Sequence, residues 1–226
     1  MPELGSPVTV QPFGDAAVLI TLADEASVGM AARAQALARR IRAAVAGRAG
    51  WGGVVPAATS VLVHVDPEVP GIGSALPLLE SLASVREAGD DEWPPDAPTL
   101  EVPVRYGGDD GPDLLAVAEA AGLTPAQVVE AHASTTYRAL FLGFAPGFAY
   151  LGPLPSELVL PRRATPRVRV AHGSVAIAGP YTAVYPIDSP GGWHLLGRSD
   201  LVWDPTADPA TRLDAGWLVR FVPNGH

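Results

Sequence analysis

The hydrophobic period changes several times along the chain, and each change marks an element. Val18, Ile20 and Leu22 alternate with Leu19 and Thr21 behind the turn signal Phe13-Gly14-Asp15, which predicts a half-buried strand. Over residues 24–46 the spacing becomes three and four: Met30, Ala34, Leu37, Ile41 and Ala44 share one face, behind Ser27 as the N-cap. Arg33, Arg39, Arg40 and Arg42 fall mostly elsewhere, so the segment reads as an amphipathic helix. Residues 54–57 and then Val61, Val63 and Val65 read as two strands, with His64 on the face opposite the valines, and residues 76–85 as a second helix. Closed by a strand through Leu100, Val102 and Val104, this order fits the split β-α-β pattern of a ferredoxin-like domain.

Residues 87–98 carry Asp90, Asp91, Glu92, Asp96 and several prolines, a composition that resists packing into a core and predicts a linker. The expected division is therefore a small α/β domain over residues 1–98, linker included, and a second domain over 99–226. Within the second, Pro112 suits a first helical turn, Gly122 a helix end, and Thr124-Pro125-Ala126-Gln127 a capping box opening another helix, near whose end His132 sits. From Leu140 onward short apolar runs at 168–170, 175–178, 182–185, 201–203 and 217–222 are separated by glycine and proline, the spacing of a barrel or sandwich. The fold class is α+β, with a helical insert near the start of the second domain.

Composition narrows the chemistry. At 226 residues the chain can bury a core without metals or disulfides, and with no cysteine it has no thiol nucleophile and no Cys-ligated metal site. A formal net charge of -9 disfavours a general nucleic-acid binder. All 15 basic residues are arginine, which removes a Schiff-base lysine and the lysine of a phosphate-binding P-loop. Residues 1–10 lack a signal-peptide pattern and no run reaches about 18 apolar residues, so a soluble, cytoplasmic protein is expected.

The densest segment is 141–152, where Gly143, Gly147, Gly152 and Pro146 are interleaved with Phe141, Phe144, Phe148 and Tyr150. It reads either as a binding loop with aromatic walls or as a tight barrel corner whose rings fill the core. Arg162, Arg163, Arg167 and Arg169 follow, with no Asp or Glu between Glu157 and Asp188. Such a run suits an anion site, an acidic partner, or a solvated face paired with distant carboxylates. Gly191-Gly192 can present successive N–H groups as an anion nest or simply make a turn. His172 and His194 adjoin glycine-rich turns and are the acid–base candidates, each equally readable as structural. The histidine spacings give no metal site.

Phe141 to Tyr150 with Gly143-Phe144-x-Pro146-Gly147-Phe148, then Pro161-Arg162, Pro166-Arg167, Gly173-Ser174-Val175-x-Ile177-Ala178-Gly179, Thr182, Tyr185-Pro186, Ser189-Pro190-Gly191-Gly192-Trp193 and Gly197-Arg198 resemble, in order and spacing, the family that holds the B-type subunit of 5-oxoprolinase, allophanate hydrolase subunit 1 and the kinase inhibitor KipI. Ala171-His172 and Pro180-Tyr181 depart from that pattern. The resemblance implies a cyclophilin-like barrel for residues 99–226 behind the small domain. It implies a subunit of an ATP-dependent amide-activating hydrolase, foremost 5-oxoprolinase, which opens 5-oxo-L-proline to L-glutamate and is inactive without a homologous cyclophilin-like subunit and a third hydrolytic one. ATP, as Mg-ATP, would sit at a shared site, and no biotin would be attached to this chain. The alternatives it carries are a urea amidolyase-type carboxyltransferase and a KipI-like inhibitor of a sensor histidine kinase. On this reading Phe148, Arg162, Arg167, Ser189, Gly191, Gly192 and Trp193 bind a small planar anion, while His172, His194 and Arg198 serve the chemistry.

Overall fold

The computed structural model describes residues 8–200 and 213–224; the expected strand at 201–203 and His226 lie outside them. The chain divides into two compact units, Met1–Pro95 and Asp96–His226, in a mixed α+β architecture.

In the first unit, β1 (Thr9–Pro12), β2 (Ala17–Thr21), β3 (Trp51–Pro56) and β4 (Ser60–Val65) form an antiparallel sheet in the order β1-β2-β4-β3. Helix α1 (Val28–Val45) starts as its cap dictates, with the Ser27 side chain accepting from the Met30 N–H, and α2 is Ile72–Ser84. Val18, Ile20, Val61 and Val63 turn to one face of the sheet and pack with Leu37, Ile41 and Leu79 from the helices. The split β-α-β core is present, but the expected ferredoxin-like closure by Leu100–Val104 is not. The edge beside β2 is already taken by β1, delivered by a tight hairpin, so the order of elements is ββαββα. The acidic segment at 87–98 is likewise not free chain. Asp90 is buried, both its carboxylate oxygens accept from Arg40 Nη1, at 2.7 and 2.8 Å, and the Trp93 indole donates to the Val28 carbonyl.

The second unit is a closed seven-stranded barrel. Its strands are β5 (Thr99–Tyr106), β6 (Thr136–Leu142), β7 (Ala149–Gly152), β9 (Ser174–Ala178), β10 (Tyr181–Val184), β12 (His194–Arg198) and β13 (Leu218–Pro223), in the order β10-β7-β6-β13-β5-β12-β9. Val102 and Val104 of β5 face its core at 1% and 0% exposure, which is why this strand belongs here. β13 runs parallel to β5 and antiparallel to β6. Outside the barrel, β8 (Arg167–Val170) and β11 (Ser189–Gly191) form a two-stranded ribbon.

Between β5 and β6 stand α3 (Leu114–Ala121) and α4 (Pro125–Ser134). Gly122 ends α3 in the left-handed conformation, and Thr124 with Gln127 forms the expected capping box. Pro112 stays outside α3, because residues 111–114 turn first: the Leu114 N–H bonds to the Gly111 carbonyl and the Asp113 N–H leaves the helix axis for the Leu195 carbonyl. His132, in the last turn of α4, is fully buried against Phe221 and Tyr137. Thr182 Oγ1 donates to the Ala176 carbonyl, so it accepts from His132 Nε2–H at 2.8 Å, which leaves Nδ1 to accept the Tyr106 hydroxyl at 2.7 Å. Burial pushes the imidazole down to about 3, so this histidine is a neutral link between α4 and two strands.

Candidate functional site

The β6–β7 connection opens the site. Its turn is held by the Gly143 N–H on the Phe148 carbonyl and the Phe148 N–H on the Ala145 carbonyl. Phe144 adopts φ 70, a left-handed conformation uncommon for an aromatic residue, and stands 62% exposed. Phe148 is buried and packs edge-to-face with Phe144, Tyr150, Tyr185 and Trp193 at centroid distances of 5.1 to 5.5 Å. These rings form the wall of a cleft of about 110 Å³, completed by Gly191, Gly192 and the guanidinium of Arg162.

Gly191 is required by close approach, since a Cβ there would lie 2.3 Å from the Tyr185 hydroxyl. The chain carrying Arg162 is fixed to the glycine turn by the Arg163 N–H, which donates to the Gly192 carbonyl at 2.8 Å.

Arg162 differs from its neighbours. Arg163 and Arg167 both pair with Asp113 Oδ1, at 2.8 and 2.7 Å, and Arg169 pairs with Asp188 at 2.6 Å. Arg162 has no carboxylate partner among the described residues and faces the cleft instead. Burial raises the Tyr150 and Tyr185 phenols above their ordinary range, an effect the Arg162 charge opposes without cancelling, so both stay protonated donors near neutral pH. The cleft thus offers aromatic faces, two hydroxyl groups and one uncompensated positive charge. Among the described residues that line it there is no serine, histidine or carboxylate.

Of the residues expected to act together, Phe148, Arg162, Gly191, Gly192 and Trp193 converge on this cleft. Arg167 lies in the ribbon on Asp113, and Ser189, also in the ribbon, keeps a buried hydroxyl with no hydrogen-bond partner among the described residues. His172 accompanies Asp188, which accepts from its backbone N–H at 2.8 Å; His194 Nε2 donates to the Pro161 carbonyl at 2.9 Å. Arg198 packs beside the Gly173 turn. None of these lines the cleft. In the basic run that looked unpaired in sequence, Arg163 and Arg167 share Asp113 and Arg169 pairs with Asp188. Sequence reasoning did not single out Phe144, Tyr150 and Tyr185 as binding residues, although the aromatic density of 141–150 was their signal. Asp113 stood only within the stretch Gly111-Pro112-Asp113-Leu114 that extends the family resemblance, and its role was hidden because its partners lie 50 and 54 positions away.

By itself this cleft is small for a nucleotide: pockets for drug-sized ligands begin near roughly 300 Å³, the cleft holds about 110 Å³, and Arg162 is the one cation on its wall among the described residues.

Among the described residues, the second unit thus joins a closed barrel to a small aromatic-walled cleft lined by one guanidinium that has no carboxylate partner. Residues 8–213 match the family model described as carboxyltransferase domain, subdomain C and D, and the chain belongs to that family. It is 36% identical over 225 residues to the B-type subunit of 5-oxoprolinase from Bacillus subtilis (strain 168), covering 94% of this chain and 91% of that one. It is 53% identical over 130 residues to the corresponding 5-oxoprolinase subunit from Escherichia coli O157:H7, covering 57% of this chain and 60% of the relative's length. The crystal structure of TTHA0988 superposes with a TM-score of 0.77 at 36% identity, over 93% of this chain and 40% of that one. The Kluyveromyces lactis urea carboxylase shares the fold, with a TM-score of 0.78 at 18% identity over 96% of this chain and 22% of its own.

Proposed function

We propose that this chain is a subunit of a cytoplasmic, ATP-dependent 5-oxoprolinase, which opens 5-oxo-L-proline to L-glutamate, and that its cyclophilin-like barrel supplies half of the substrate site. The observation that carries this reading is the cleft: a small, aromatic-walled pocket with one unpaired guanidinium matches a planar lactam ring bearing a single carboxylate. The kinship with proteins named as 5-oxoprolinase subunits supports the same substrate.

Arg162 would neutralise the substrate carboxylate, the faces of Phe148 and Trp193 would take up the ring, and the protonated Tyr150 and Tyr185 hydroxyls would donate to its oxygens. Among the described residues the cleft wall holds no serine, histidine or carboxylate and only one cation, so Mg-ATP and the reacting groups would come from a homologous cyclophilin-like subunit and a third, hydrolytic one. When bound there, ATP supplies the phosphoryl group that activates the amide.

The test is ADP release on addition of 5-oxo-L-proline, measured for the lone chain and for its complex with the partner subunits. The complex is expected to turn over and the lone chain to be inert. Arg162→Gln should raise KM about tenfold or more, since a hydrogen bond to a charged group is worth about 1.5–3 kcal/mol. Strong turnover by the lone chain would overturn the shared site, and a complex unresponsive to 5-oxoproline would overturn the substrate. The carboxyltransferase family model favours a second reading, transfer of a carboxyl group from biotin to a urea-like amide. The biotin would ride on another chain, as these residues include no lysine. Biotin-dependent carboxylation with no ADP response to 5-oxoproline would select it.

A further inference from the structure

Asp113 occupies the N-cap position of α3, where an aspartate ordinarily accepts from the first helical N–H groups. It makes no such bond. The buried carboxylate is spent instead on the chain that walls the cleft. Oδ1 accepts from Arg163 Nη1 at 2.8 Å and Arg167 Nη2 at 2.7 Å, and Oδ2 accepts from the Leu195 N–H at 2.7 Å. The Asp113 N–H returns a bond to the Leu195 carbonyl at 3.1 Å.

Each of these partners is one step from the cleft. Arg163 adjoins Arg162 and bonds the Gly192 carbonyl, Arg167 pairs with Gly191 across the ribbon, and Leu195 lies two residues beyond Trp193. From this we infer that Asp113 is a positioning residue: it gathers the Arg162 segment and the turn at residues 191–193 into one arrangement and so aims the Arg162 guanidinium at the substrate carboxylate. It also pairs with both Arg163 and Arg167, leaving Arg162 as the guanidinium on the cleft wall without a carboxylate partner among the described residues. The inference rests on the reading of the cleft as the substrate site.

Burial alone would raise the Asp113 carboxyl, but hydrogen bonds from Arg167 and the Leu195 N–H, with the charges of Arg167 and Arg163, outweigh it and keep the group ionised. Arg163 Nε and Arg167 Nη1 are buried without a partner among the described residues, so these guanidinium groups depend on the one carboxylate.

The test combines kinetics of the reconstituted complex with hydrogen exchange of the full chain. Asp113→Asn, if folded, should raise KM for 5-oxoproline about tenfold or more while kcat stays within about threefold, and Asp113→Glu should recover part of the loss. Exchange should quicken over residues 161–169 and 191–196 and stay unchanged over α4 and β5, whereas a merely structural role would loosen the whole barrel. A folded Asp113→Asn with unchanged KM, or with no local change in exchange, overturns the positioning role and leaves the proposed activity standing. A wild-type complex inert toward 5-oxoproline overturns the proposed activity, and exchange alone then decides the role of Asp113: local quickening upholds it, none overturns it. Should Asp113→Asn fail to fold, Arg163→Gln carries both measurements, a smaller effect of the same kind supporting the inference and no effect in either overturning it.

Discussion

Gly191 decides how closely the ribbon turn can approach Tyr185. A methyl group there would meet the phenol at 2.3 Å, and Tyr185 is buried against Phe148 with little room to yield. Gly191→Ala should therefore carry an overpacking cost of about 1–3 kcal/mol, seen as a lower urea midpoint, together with a raised KM. In Gly192→Ala the added atom meets nothing nearer than 3.7 Å, so its urea midpoint should stay near wild type. At this scale the sequence showed which residues crowd together and not how they pair. Four arginines in one run were plain to see, but which of them stays free is decided by Asp113, whose bonds to the run cross the fold. His172 and His194 drew notice as titratable groups beside glycine turns, and their side chains lie on Asp188 and the Pro161 carbonyl.

Elements with local punctuation were the most legible. The Ser27 cap, the Gly122 stop and the Thr124–Gln127 box each act within one turn of helix, so the residues that specify them are neighbours in sequence. Thr124→Ala should cost about 1 kcal/mol, measured by urea denaturation, with Thr124→Ser close to wild type. Strand partners were less legible, because alternation states that a strand is half-buried and not which strand it joins. The run at Leu100–Val104 alternates as a closing strand of the first domain would, yet it pairs with β13 in the barrel, and Arg105 and Tyr106 just beyond it pair with β12. The short strands β11 and β12 were hidden by Pro190, Gly191, Gly192 and Gly197, residues that read as turn and here sit in a bulged ribbon and at a register shift.

For the whole molecule, the His132 link makes stability depend on pH in a definite direction. Its folded value, about 3, lies below the ordinary value near 6.5, so the unfolded chain binds a proton that the folded one refuses. The stabilisation is complete above about pH 6.5 and drains away as pH falls from there toward 3. His132→Phe leaves the Tyr106 hydroxyl without its acceptor and should cost about 1–3 kcal/mol near neutral pH. It also removes the titration, so the gap between variant and wild type should narrow between about pH 7 and about pH 4.5, followed by urea midpoints at each.

β13 carries a different consequence. It fills the place between β5 and β6, pairing with β5 along its whole length and with β6 over Leu218–Arg220, although more than a hundred residues separate it from β5. Among the described barrel strands it is the last to be synthesised, so the barrel can close between β5 and β6 only after it emerges. Residues 218–223 act as the last stave, and until they are in place the facing edges of β5 and β6 are open to wrong pairing.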